Sequence, residues 1–125
     1  MRVHAVHHVN LRIPAQEILA IRDFYCDVLG LEEGWRPPFA SKGYWLYADG
    51  APIVHLVESS PGESRSRGGA IDHVSFKCSN LEEMRAHLQR NGIQYSVTRV
   101  PVSGDTQIFL HDPVGTGVEL TFTVV

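Results

Sequence analysis

The sequence predicts an α+β fold built of two tandem βαβββ units, and two observations carry that prediction. The segment His8-Val9-Asn10-Leu11-Arg12-Ile13 returns position for position as His73-Val74-Ser75-Phe76-Lys77-Cys78, in the pattern His, apolar, small polar, apolar, basic, apolar. After each copy the candidate elements follow in the same order: a helix, then three strands. A duplicated unit of this kind is a stronger signal than any one element within it.

From Val3 to Ile13 the residues alternate as in a strand. Val3, Ala5, Val9, Leu11 and Ile13 share one face; His4, Val6, His8, Asn10 and Arg12 share the other, because successive side chains of a strand point to opposite sides. This parity separates His8, on the polar face, from His7, which interrupts the apolar one. Pro14 ends the strand. Between Gln16 and Leu29 the residues Ile18, Ile21, Tyr25, Val28 and Leu29 recur at helical spacing, and Gly30 supplies the stop. Three short strands are expected over Glu32–Arg36, Tyr44–Ala48 and Pro52–Glu58. Pro37-Pro38 separates the first two, and Asp49-Gly50 makes a hairpin turn between the others.

Residues 59–69 (SSPGESRSRGG) are polar and rich in Gly and Ser, with no apolar side chain to pack, and read as a linker. One domain spanning 1–125 is therefore expected to contain units 1–58 and 70–125. In the second unit Ala70–Cys78 is a strand. Asn80-Leu81-Glu82-Glu83 has the form of a capping box opening a helix with Leu81, Met84 and Leu88 inside, and Asn91-Gly92 ends it. Strands follow over Tyr95–Val100, Thr106–His111 and Gly117–Val124, the last two joined by Asp112-Pro113-Val114-Gly115. Leu46 through His55 aligns with Leu110 through Glu119, so the repeat makes His55 equivalent to Glu119 and Trp45 equivalent to Phe109.

With 43% hydrophobic and 20% charged residues in 125, the chain is an ordinary globular one. A net charge of −3 carries no electrostatic footprint for nucleic acid or an anionic membrane. No apolar run approaches the ~20 residues of a membrane span, and Met1-Arg2-Val3-His4 lacks the apolar core of a signal peptide. Two cysteines, Cys26 and Cys78, one in a helix and one on a strand, suit reduced thiols. A cytoplasmic protein is expected.

Four ligand-type residues occupy equivalent places in the repeat. His8 and His73 head the first strands, and His55 and Glu119 lie in the last ones. Glu119 shares its face with Thr121 and Thr123, opposite Val118, Leu120, Phe122 and Val124. Three imidazoles and a carboxylate make a shell acceptable to Zn, Ni, Mn, Co or Fe. His7, His87 and His111 read as structural or surface residues.

The duplication, the His8-Val-Asn-Leu and Asp72-His73-Val-Ser-Phe strands, and the Asp112-Pro-Val-Gly…Val118-Glu119-Leu ending resemble the vicinal oxygen chelate superfamily. Its members include glyoxalase I, methylmalonyl-CoA epimerase, fosfomycin-resistance thiol transferases, extradiol dioxygenases and bleomycin-binding proteins. The resemblance implies that each unit curls into an open, cup-shaped half-barrel and that a divalent metal is held by His8, His73 and Glu119. His55 falls where glyoxalase I has a glutamate. It further implies a homodimer with sites at or near the interface, acting on a small-molecule substrate.

Four protein ligands on an octahedral ion leave two positions for adjacent substrate oxygens, which suits a Lewis-acid lyase or isomerase with Glu119 and His55 as catalytic groups. The runner-up is an extradiol-type dioxygenase on a two-His-one-carboxylate iron, with His55 released to act as acid or base. A third reading, from a different class, is a non-catalytic drug-binding protein of the bleomycin-resistance type. Arg12, Arg36, Tyr44, Trp45, Gln107 and Phe109 are candidate substrate contacts.

Overall fold

A computed structural model describes residues 1–2, 4–60 and 73–123. The chain divides into two compact units, Met1–Arg65 and Ser66–Val125.

The first unit runs β1 (Val9–Ile13), α1 (Ile18–Asp23) with a π-helical turn (Phe24–Val28), β2 (Glu32–Gly34), β3 (Gly43–Ala48) and β4 (Ala51–Glu58). Its sheet has the order β1-β4-β3-β2, with β1 parallel to β4 and the other pairs antiparallel. Paired residues share a face. Val54, Leu56 and Leu46 therefore point with Leu11 and Ile13 to one side, and this side holds the core with Ile18, Ile21 and Tyr25 from the helical segment. Ile21, Tyr25, Leu46 and Val54 are fully buried. Each such side chain contributes about 1.5–3 kcal/mol relative to exposure.

The second unit repeats the plan with β5 (His73–Cys78), α2 (Leu81–Arg90), β6 (Ser96–Arg99), β7 (Thr106–His111) and β8 (Gly117–Phe122), ordered β5-β8-β7-β6. Leu88, Ile108, Leu110, Val118 and Leu120 form its core. Each four-stranded sheet is open, with two edge strands. Both helical segments end on a left-handed glycine: Leu31 N–H reaches Tyr25 O beyond Gly30, and Ile93 N–H reaches Leu88 O beyond Gly92. The span in the first unit is one residue longer, matching its π-helical turn.

Several boundaries differ from the sequence expectation. β1 begins at Val9, so positions 4–8 of the expected strand lie outside it, and Val3 lies outside the described residues. The expected capping box does not form. Asn80 adopts a left-handed conformation (φ 63°) and makes no side-chain cap bond, because that bond needs an extended N-cap backbone. β2 stops at Gly34, two residues before the expected Arg36. Of the expected linker only Ser59 and Ser60 lie among the described residues, and Ser59 N–H donates to Ile13 O at 2.8 Å. Positions 61–69, the start of the expected strand at 70–72, and Val124 lie outside the described residues.

Cys26 and Cys78 are free and half-buried. Desolvation pushes both thiols above their ordinary value, the backbone of Glu33 pulling back partly on Cys26. A raised pKa favours the neutral thiol, so thiolate forms only at higher pH than in free cysteine. Alkylation by iodoacetamide at pH 8 should therefore run slower than on free cysteine and recover as pH rises; equal rates would contradict the burial of these thiols.

Candidate functional site

In the first unit the sheet register sets Asn10, His55 and Trp45 side by side across β1, β4 and β3, on the face away from the helix. His8, one residue ahead of β1, folds over the same face. The result is a stack of three rings: His8 on His55 (3.9 Å between centroids, 12° between planes) and His55 on Trp45 (4.1 Å, 12°). His55 is buried, and its Nε2 lies 3.0 Å from the Pro52 carbonyl. A carbonyl oxygen only accepts, so Nε2 carries the hydrogen. Burial, with His8 beside it, lowers the His55 pKa below the usual histidine value and so favours the neutral ring, leaving the lone pair on Nδ1. His7 Nδ1 lies 2.9 Å from His8 Nδ1. Strand parity does not separate these two rings, since the strand has not yet begun.

In the second unit the equivalent row is Ser75, Glu119, Phe109 and Ser96. The Thr121 hydroxyl donates to Glu119 Oε2 at 3.0 Å. That hydrogen being committed, the 3.0 Å contact between Ser75 Oγ and Thr121 Oγ1 has serine as donor. The relay fixes one oxygen of a carboxylate that is 7% exposed. The other, Oε1, faces His73 Nε2 at 3.6 Å. His73 meets Phe109 edge-on at 6.1 Å. Asp112 positions this strand: its Oδ1 accepts from the N–H groups of Val114 and Thr116, tightening the turn that delivers β8.

Each unit thus brings two ligand-type residues together, His8 with His55 and His73 with Glu119. Among the described residues no group of three or more His, Cys, Asp or Glu side chains is gathered as a metal cluster. In type, imidazoles plus a buried carboxylate with one tethered oxygen fit a borderline divalent ion. The stack of His8 on His55 does not fit as it stands. Two near-parallel rings 3.9 Å apart cannot both direct in-plane lone pairs to an ion ~2.1 Å away, so one must turn.

Of the expected substrate contacts, Trp45 stacks on His55, and Phe109 and Gln107 share the Glu119 face. Arg12 lies on the His55 face, on the row Arg12–Val57–Gly43. Arg36 reaches the same row, its Nη2 3.1 Å from where a Cβ on Gly43 would sit. Tyr44 is not brought to them. It pairs with Leu56 and points to the helix side, under the guanidinium of Arg22 at 5.1 Å. Two residues that sequence reasoning left without a role, Trp35 and Phe39, pack against Trp45 at 6.3 and 6.2 Å. Their only sequence signal is aromatic density around Pro37-Pro38.

These two rows lie on a known fold. The family model of the Glyoxalase/Bleomycin resistance protein/Dioxygenase superfamily matches residues 5–120. The chain belongs to that superfamily. It is 32% identical to "Glyoxylase I 4" of Arabidopsis thaliana, covering 96% of this chain and 71% of the relative. It is 30% identical to the uncharacterized protein YaeR of Escherichia coli K12, over 92% and 93% of the two chains. Among solved structures, a glyoxylase/bleomycin resistance protein/dioxygenase domain from Frankia sp. EAN1pec superposes with a TM-score of 0.78 at 17% identity, covering 98% of this chain and 94% of that one.

Proposed function

We propose that the protein is a metal-dependent enzyme of the glyoxalase type, a lyase or isomerase acting on a small substrate with adjacent oxygens. The observation that carries this reading is the equivalence of His55 and Glu119, which occupy the same register position in two copies of one unit, each with a histidine from the head of the first strand beside it: His8 stacked on His55 and His73 facing Glu119. In this reading the four residues hold one divalent ion, within a chain or shared in a homodimer. The ion would supply Lewis-acid stabilisation of negative charge on the substrate oxygens. Glu119 is the proton carrier. Its Oε2 accepts from the Thr121 hydroxyl, which leaves Oε1 as the oxygen open to the site. Trp45 and Phe109 wall the reacting atoms from water.

A second reading is supported by His55 itself. With Nε2 bonded to Pro52 and both ring faces covered, His55 is built as a wall that also accepts a proton on Nδ1. That leaves His8, His73 and Glu119 as a two-His-one-carboxylate set with room for dioxygen chemistry on iron. Metal analysis of purified protein, followed by oxygen uptake with catechols under Fe(II) loading, decides between them. Stoichiometric metal without oxygen uptake supports the first reading, and Fe(II)-dependent uptake the second. Protein that takes up no divalent ion, and gains no thermal stability from any, would sink both in favour of a binding protein.

His8 must turn off His55 for the two to share an ion, and His55 rests on Trp45. Ligation by both should therefore change Trp45 emission, and that change should vanish in Trp45→Phe. His7→Ala should weaken metal binding by roughly 10–100-fold, the cost of removing a group that orients a ligand; unchanged affinity in a titration would mean the His7–His8 bond plays no part.

A further inference from the structure

The two cation–aromatic pairs of the first unit differ in a way the proposed chemistry does not use. Arg22, on the helix side over Tyr44, is neutralised by Asp23 at 3.0 Å and Glu33 at 3.5 Å. Arg36 lies over the Phe39 ring at 5.0 Å and spends Nη1 and Nη2 on the Ser41 carbonyl (2.9 Å) and hydroxyl (3.1 Å). Both partners are uncharged. Among the described residues no carboxylate pairs with Arg36, so its full positive charge stands on the His55 face beside Gly43.

Around that charge are aromatic surfaces that the core does not need. Trp35 is 70% exposed and Phe39 is 53% exposed. Trp35 meets Trp45 in a T-shape (88°), a contact that covers at most one of its faces. Its place is nevertheless held firmly, because the Tyr47 hydroxyl donates to the Trp35 carbonyl at 2.6 Å and the Tyr47 ring lies across Gly34. Open aromatic faces favour a flat ring over a puckered one, and a guanidinium tethered to Ser41 through Nη1 and Nη2 keeps its charge in a fixed place for an oxyanion, which the second hydrogens of Nη1 and Nη2 can meet.

We infer that the Trp35–Arg36–Phe39 segment, beside Trp45, is a binding shelf for a planar aromatic anion, with its ring on the indole and phenyl faces and its carboxylate on Arg36. This names the substrate class for the His55 face and rests on reading that face as the substrate wall, but it requires no metal.

The test uses full-length protein stripped of metal with a chelator, so that its outcome is independent of metal chemistry. Calorimetric titration compares 2-naphthoate with 2-naphthol, which lacks the charge at pH 7, and with decahydro-2-naphthoate, which lacks the flat ring. The shelf predicts that 2-naphthoate binds about tenfold or more tighter than either. Arg36→Gln should erase the preference over 2-naphthol, and Trp35→Ala the preference over the saturated acid. Should Arg36→Gln unfold, as thermal melting would show, Arg36→Lys keeps the charge without the tether to Ser41 and should lose most of the same preference. Equal affinity for all three probes overturns the inference, as does a preference that survives Trp35→Ala. So does Trp35→Ala turning a dimer into monomers with probe binding unchanged, which would make the patch a contact between copies.

Discussion

His73→Ala protein is expected to leave a metal-loading and desalting step without stoichiometric divalent ion, whereas the parent retains it. The loss should exceed the roughly 10–100-fold that accompanies removal of an outer partner such as His7. The reason lies in how the second unit treats Glu119. One oxygen is tied by Thr121 and Ser75, and the other is left facing a single imidazole. Without that imidazole the second unit contributes a single donor, and the set of four falls to three. Glu119→Gln tests the same pair from the other side: the amide still accepts from Thr121, so the fold is kept while the charge is lost. Atomic absorption on the two variants reads the result. Parent-like metal content in His73→Ala would remove the donor-pair argument altogether.

The largest effect on stability is expected at Gly43. A Cβ there would stand 2.0 Å from the Leu56 carbonyl oxygen, a backbone atom that cannot step aside without opening the β3–β4 ladder. Gly43→Ala should cost about 3 kcal/mol, toward the upper end of overpacking penalties, and lower Tm by roughly 10 °C in a chain of this size. The clash also reaches Arg36 Nη2 at 3.1 Å, so the variant should lose the anion preference of the neighbouring shelf even where it remains folded. Thermal melting and the naphthoate titration check the two effects. A parent-like Tm would mean that β3 and β4 are not packed this closely.

The duplicated strand motif and the matching end strands were enough to read the two-unit plan, the element order and the register equivalence of His55 with Glu119. Those features depend on alternation and helical periodicity, which a sequence displays directly. Local backbone chemistry was less legible. Asn80 has the composition of an N-cap but a left-handed φ, and no residue pattern distinguishes the two. The early start expected for β1 followed from alternation through Val3 and Ala5, and Ala5 lies in no strand. This displaced the parity argument at His7, whose ring bonds to His8. Tyr44 was expected with the substrate contacts, yet its odd-even position beside Trp45 sends it to the helix side. Trp35 and Phe39 escaped notice because a loop that folds back on its own strand has no period to detect.

Each unit carries a complete apolar core on one side of its sheet and places its donor row on the other. The consequence is a division of labour between evolutionary constraints. Substitutions on the donor rows leave the apolar core in place, so their cost in folding is confined to the burial and contacts of the donors themselves. Because the rows are copies, position 55 has the register of position 119, but Val57 stands where Thr121 holds the carboxylate, so the two donors are supported differently. Folding and chemistry thus draw on opposite faces of the same strands.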